Sequence, residues 1–537
     1  MKNNIPQRVK ASLRFTVLLL ALLCCPEFST AQQNETGPRP VFDEKFSHWP
    51  LQLKINGRVI INRNMTDLKP IDRVLRRIAQ GKCFVFSHRE DNLGSLLESL
   101  CNEDNFTKSK CETSQLETAL EDGNTIYLDV KSFSPKELMG YQDQFNAFLE
   151  GGGNLVADAT IGHCFGAIQS NGEPGLGLVP DCYLDCSYDG DVSAEQEIVK
   201  RISTRKGTVG IGIEPHTMLI VSGRRVLSFG TNVSTLAIPG NESVGATLQK
   251  IGPDHTRMAD LTQWRKRAID RTLPPFPAAK PKSPFVENGS LYIVGGGGMP
   301  QGLMNKMIQE VGGIDKAKCV YIPCLESEDA GERHVMLRVW ENLGVKHATL
   351  IHTKDRNQAN SDEKFLEPLK DANLLWFGGG RQWNFADSYY GTEAHKLMKE
   401  VLHRGGVIGG SSAGASIQGR FLARATPIGN ANILAPGYES GGLGFLSGVA
   451  IDQHFSRRRR QKDMTGLVET YPQLLGIGID ESTAIVVRKS RAEVVGRGKV
   501  YFYDRSKPVE KGKPDYTALP EGSIYDLLKR EVIEADE

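Results

Sequence analysis

Apolar and polar positions recur along the chain in two ways. LYIVGG from Leu291, KCVYIP from Lys318, HATLIH from His347, NLLWFGG from Asn373 and GVIGGS from Gly406 are short β-rich runs ending in glycine or polar residues, and they predict strands. Between them GLMNKMIQEVGG, ERHVMLRVWENLG and AHKLMKEVLHRGG carry apolar residues at helical spacing. Strand and helix in alternation predict an α/β fold, with a mostly parallel sheet flanked by helices. Functional groups then belong at the carboxyl ends of strands.

The pattern also repeats. GIGIEPHT from Gly210 lies over GIGIDEST from Gly476, and GLGLVPDCYLDCSY from Gly175 over GLGFLSGVAIDQHF from Gly442. Upstream, LEGGGNLVADATIG from Leu149 lies over LHRGGVIGGSSAGA from Leu402, and NTIYLDV from Asn124 over NLLWFGG from Asn373. Four blocks in one order predict two homologous domains, at 40–271 and 290–537. The stretch TLPPFPAAKPKSPFVENG, residues 272–289, holds five prolines and reads as a semi-rigid linker.

Composition narrows the functional classes. Against 65 Lys+Arg stand 64 Asp+Glu, a net charge of +1, so no global basic field points to nucleic acid or a membrane surface. Residues 1–31 read as a signal peptide: basic MKNNIPQRVKASLR, apolar FTVLLLALLCC, then STA before expected cleavage after Ala31. The apolar run falls short of the roughly 20 residues that span a bilayer, so export into the periplasm or medium is expected, with no membrane attachment afterwards. Export permits disulfides, and eight cysteines remain after Ala31. A staple such as Cys101 with Cys111 is one pairing; buried thiols are the alternative.

The chemistry concentrates in the second copy. Gly410-Ser411-Ser412-Ala413-Gly414 fits G-x-S-x-G, a sharp strand-to-helix turn that exposes Ser412 and leaves the N–H of Ala413 for an oxyanion. A serine hydroxyl needs a base, and after Ser412 there is one histidine, His454, following the apolar run FLSGVAI. Asp480 and Glu481, between two apolar runs, are both candidates to orient the imidazole. VGGGG at 294–298 lacks the helix start and distant acid of a dinucleotide loop, so no cofactor is expected, and no metal.

LYIVGGGG, WFGGGRQ, GGSSAGA, DQHFSRRRR and GIGIDESTAIVV, in this order over roughly residues 289–505, resemble the cyanophycinase-like serine peptidases of family S51, relatives of aspartyl dipeptidase. The resemblance implies tandem class I glutamine amidotransferase-like (flavodoxin-like) domains. It also implies hydrolysis of an aspartyl or isoaspartyl peptide bond through a serine acyl-enzyme. It assigns Ser412 as nucleophile, His454 as base, Glu481 as orienting acid, Gly380 and Ala413 to the oxyanion hole, and Gln382, Asp452, Gln453, Arg458 and Arg460 to substrate. Two positions depart from the pattern: Arg381 stands where these enzymes carry the acid of GGDQ, and Asp463 where they carry a third arginine. The partner implied is a peptide or isopeptide, cyanophycin-like in the simplest case; a homodimer is compatible with all of this.

The repeat sets Ser412 over Ala159, His454 over Ser187 and Glu481 over Pro215, so the first copy is expected to be inactive as a serine hydrolase. Its Cys164, Cys182, Cys186 and His163 fall near the same cleft, where a disulfide is preferred to a metal. Two other readings compete. An α/β-hydrolase esterase shares G-x-S-x-G but places its acid before its histidine, against the order here. A binding protein with two degenerate copies is opposed by the intact Ser412, His454 and Glu481.

Overall fold

The computed structural model describes residues 49–534 except 51, 66, 88–91, 110, 130–131, 331–334 and 430–431. The expected signal peptide lies outside the described residues. Among the described residues no helix is long and apolar enough to cross a membrane.

The strand of Leu374–Phe377 is wholly buried, and Val407–Ser411 is buried except at its last residue. Both lie in a sheet covered on two faces, which is why they read as continuous apolar runs rather than alternating ones. The helix Glu393–His403 begins where the Thr392 hydroxyl accepts from the His395 N–H and buries Ala394, Leu397, Met398, Val401 and Leu402 along one side. Full burial of such a side chain contributes roughly 1.5–3 kcal/mol.

The same order of strands occurs twice. In the first half a parallel core runs Phe106–Ser109, Cys83–Phe86, Thr125–Leu128, Asn154–Asp158, Arg58–Arg63. Antiparallel strands Thr217–Ser222, Arg225–Gly230 and Met258–Asp260 extend it. In the second half the parallel core runs His347–Leu350, Lys318–Ile322, Leu374–Phe377, Val407–Ser411, Val286–Val294. Thr483–Lys489, Arg491–Gly496, Ile524–Asp526 and Glu531–Ile533 extend that core, again antiparallel.

Each half adds a second sheet of five strands: Gly166–Ile168, Val179–Asp185, Val209–Ile213, Ser234–Ile238 and Thr247–Ile251, against Gly419–Phe421, Leu446–Gln453, Leu475–Ile479, Val500–Tyr503 and Thr517–Leu519. The protein is thus an α/β molecule with parallel-cored sheets flanked by helices, and the antiparallel extensions go beyond what the apolar runs predicted. The last strand of the second parallel core begins at Val286, inside the stretch expected to be linker.

The eight cysteines among the described residues are unpaired thiols, the alternative to a Cys101–Cys111 staple. Cys101 lies against Cys83 instead.

Candidate active site

Three loops meet at the carboxyl end of Val286–Val294. Ser412 donates its backbone N–H to Val294 (3.0 Å), His454 to Gly295 (2.8 Å) and Ser482 to Gly296 (2.8 Å). Successive carbonyls of one strand end therefore fix the loops that carry Ser412, His454 and Glu481. Glycine is needed there: a Cβ on Gly296 would stand 2.4 Å from His454 Cε1, and one on Gly297 2.6 Å from the Glu481 carboxyl carbon. The glycine run of 295–298 is the bed on which the imidazole and carboxylate lie, a role the sequence reading had not given it.

Ser412 has φ 57° and ψ −112°, and His454 has φ 50°. Residues with a Cβ in such conformations cost on the order of 1–3 kcal/mol each and persist only where surroundings over-determine them. The Ser412 hydroxyl oxygen lies 3.0 Å from His454 Nε2, and His454 Nδ1 lies 2.7 Å from Glu481 Oε1. A carboxylate only accepts, so Nδ1 carries the proton and Nε2 offers its lone pair to the serine hydroxyl. Burial lowers the His454 pKa below the ordinary histidine value, and Arg458 and Arg460 add to that against the opposing pull of Glu481. The imidazole is neutral at pH 7 and competent as a base.

Asp480 faces away from the imidazole. Its carboxylate accepts from the backbone N–H of Ser456 (2.9 Å) and of Lys499 (3.1 Å).

The glycines after Leu374–Phe377 form a second wall: a Cβ on Gly379 would lie 3.6 Å from Ser412 Cβ. Gly380 packs on Cys324, whose carbonyl oxygen would be 2.5 Å from an added Cβ. Ala413 opens the short helix Ala413–Ser416, so its N–H has no acceptor within that helix.

The residues expected to meet substrate, taken with the neighbouring Arg457 and Arg459, divide into two groups. Arg457, Arg458 and Arg459 are exposed, have no ion-pair partner among the described residues, and the Arg458 N–H donates to the His454 carbonyl (3.0 Å). Asp452, Arg460 and Gln382 instead direct polar groups into internal hydrogen bonds. Asp452 is fully buried and accepts from Arg424 Nε (2.9 Å) and Arg460 Nη1 (2.7 Å). Gln382 donates from Nε2 to the carbonyls of Ala423 (2.7 Å) and Arg424 (3.0 Å). Gln453 is buried, with Oε1 lacking a hydrogen-bond partner and its backbone carbonyl accepting from Arg460 (2.8 Å). Asp463 pairs with Arg424, a residue the sequence reading missed because no pattern marks it. Among the described residues no group of His, Cys, Asp or Glu is placed to hold a metal ion.

In the first half the corresponding positions hold no such relay. Asp158 pairs with Asn62 as Ser411 pairs with Val294, and Asp185 pairs with Gly212 as Asp452 pairs with Gly478. The next positions put Ala159 where Ser412 stands and Ser187 where His454 stands. Arg63, one residue past Asn62, reaches the carbonyls of Tyr188 and Ile213.

The model of peptidase family S51 matches residues 291–495. The cyanophycinase of Geminocystis herdmanii is 30% identical over 197 residues, covering 36% of this chain and 71% of that protein. The cyanophycinase of Trichormus variabilis is 27% identical over 220 residues, covering 40% and 72%. Among solved structures, a peptidase from an acI-B1 Actinobacterium is 24% identical with a TM-score of 0.34, covering 44% of this chain and 97% of that one. The chain belongs to peptidase family S51 and is a serine peptidase.

Proposed function

We propose that Ser412, His454 and Glu481 form the catalytic triad of an exported peptidase that cleaves aspartyl or isoaspartyl bonds. The observation that carries this reading is the hydrogen-bonded line from Ser412 Oγ through a neutral His454 to Glu481. In the first step Ser412 Oγ attacks the scissile carbonyl carbon while His454 Nε2 takes its proton. Backbone N–H groups of Gly380 and Ala413 hold the oxyanion. The C–N bond then breaks, His454 protonates the leaving amine, and an acyl ester on Ser412 remains. Water, losing its proton to Nε2, attacks the ester, and Ser412 recovers its proton as the acid leaves.

The unpaired guanidinium groups of Arg457, Arg458 and Arg459 favour a substrate bearing a free carboxylate, which an arginine can hold through two hydrogen bonds. Arg381, half-exposed beside the Gly379–Gly380 wall, disfavours a substrate arginine at that point. β-Aspartyl peptides without arginine are thus expected to be cleaved at least as well as cyanophycin. The matching strand order of the halves supports a duplication whose first copy has lost the serine chemistry. A screen of mature protein against β-aspartyl-arginine, other isoaspartyl peptides, α-aspartyl peptides and cyanophycin tests the reading. Failure of the folded protein to hydrolyse any of the four, or hydrolysis undiminished in Ser412→Ala, contradicts it.

A further inference from the structure

A charged network outside the candidate site joins the two halves, and Arg224 is its centre. Its Nη1 lies 2.5 Å from Asp387 Oδ2, and its Nη2 lies 2.5 Å from the Tyr438 hydroxyl and 3.1 Å from Asp260 Oδ1. Its guanidinium carbon stands 4.1 Å from the centre of the Trp383 ring. Tyr438 in turn donates to Asp387 Oδ1 (2.8 Å). Arg224 and Asp260 belong to the half without the relay; Trp383, Asp387 and Tyr438 belong to the half with it.

What Arg224 grips lies directly behind the Gly379–Gly380 wall. The helix Trp383–Tyr389 begins three residues after Gly380, and the Arg381 carbonyl between them accepts from the Asn384 N–H (3.0 Å), Asn384 Nδ2 (3.1 Å) and Cys324 Sγ (3.0 Å). Gln382 ties the start of this helix to the 423–424 segment, which pairs through Leu422 with Glu439. Arg224 ties Asp387, on the last turn of the same helix, to Tyr438, which adjoins Glu439. The helix is held at both ends against one segment, and the second tie comes from the other half.

We propose that Arg224 is a positioning residue for the oxyanion wall, so that the half lacking the relay is a built-in activator of the half that has it. A partly buried guanidinium stacked on Trp383 and shared among two carboxylates and a phenol fixes one helix orientation. Catalysis is sensitive to that orientation, because misplacing a positioning group by about 1 Å can cost about 100-fold. The inference rests on the reading of Ser412 as nucleophile.

The test uses the full chain and a fluorophosphonate probe, with kinact and KI for labelling of Ser412 measured separately. Arg224→Lys keeps a cation but loses the planar fork and its stacking. The expected result is a fall in kinact of at least about tenfold, with KI within twofold and the acid limb of the pH profile unmoved. Lys54→Ala, which removes an exposed ion pair with Glu150 inside the first half, is expected to behave as wild type. A folded Arg224→Lys protein labelled at the wild-type rate overturns the proposal. Should Arg224→Lys not fold, Asp260→Asn, which removes a carboxylate that Arg224 binds, decides in its place, with the same fall expected and wild-type kinact overturning it. Labelling that survives Ser412→Ala removes the reading beneath the proposal; a dead Ser412→Ala beside a wild-type Arg224→Lys removes the proposal alone.

Discussion

Glu481 Oε1 accepts from His454 Nδ1 at 2.7 Å, and this single bond decides which imidazole nitrogen faces Ser412. Glutamine at 481 can donate an N–H toward Nδ1 and so stabilise the tautomer whose proton sits on Nε2, where it cannot act as a base. Glu481→Gln is expected to slow fluorophosphonate labelling by about 10³–10⁴-fold while leaving the thermal midpoint close to wild type. A loss smaller than about tenfold would show that the tautomer is set by something else.

The pH dependence follows from the same imidazole. Its pKa is lowered in the folded protein, chiefly by burial, so the base form persists below the ordinary histidine value of about 6.5. The labelling rate is expected to be flat through neutrality and to fall only below pH 6.5. Arg458 is one of the groups lowering that pKa. Arg458→Ala should therefore move the acid limb upward, which a rate profile from pH 4.5 to 8 would read directly.

Gly296 and Gly405 both have positive φ, 97° and 85°, but only Gly296 has a neighbour where a Cβ would go. Gly405→Ala is expected to cost about 1 kcal/mol of stability, from backbone conformation alone, with labelling intact. Gly296→Ala must push the His454 ring out of line and is expected to abolish labelling. Measuring melting and labelling together separates the two effects.

Across the junction between the halves, Asp270 Oδ2 and Glu439 Oε2 are buried without hydrogen-bond partners. Burial raises the Glu439 pKa to about 7, and Asp270 adds to the shift. The folded state thus holds a proton that the unfolded state has already lost between about pH 4.5 and 7. This group's contribution is fully present below the unfolded value and is lost as pH rises through 7. Glu439→Gln is expected to stabilise the protein at pH 8 by on the order of 1–3 kcal/mol and to do little at pH 4.5. Thermal melts at the two pH values check the sign.

Much of the second half was legible because its parallel strands are covered on both faces, so runs such as LLWF of Leu374–Phe377 are apolar throughout. The turn between Thr483–Lys489 and Arg491–Gly496 was not: Lys489 itself takes φ 53°, with no glycine or asparagine to announce a hairpin. Ser412 and His454 were singled out from the residues, whereas the choice of Glu481 over Asp480 came from the resemblance. The neighbouring acids were harder. Asp452 lies next to last in the strand Leu446–Gln453, close to His454, and reads as a substrate contact, but Arg424, which lies 28 positions earlier, pairs with its carboxylate. The Arg224 network was invisible for the same reason: its partners lie 36 to 214 positions away, and charge alone does not say which acid an arginine meets.

The central claim is that Ser412 is the nucleophile. Mass spectrometry of the full chain after fluorophosphonate treatment, run beside hydrolysis of isoaspartyl peptides, tests it most directly. The wild-type protein should carry one label, on the peptide containing Ser412, and Ser412→Ala should carry none and hydrolyse nothing. A label on another residue, or hydrolysis undiminished in Ser412→Ala, would contradict the account.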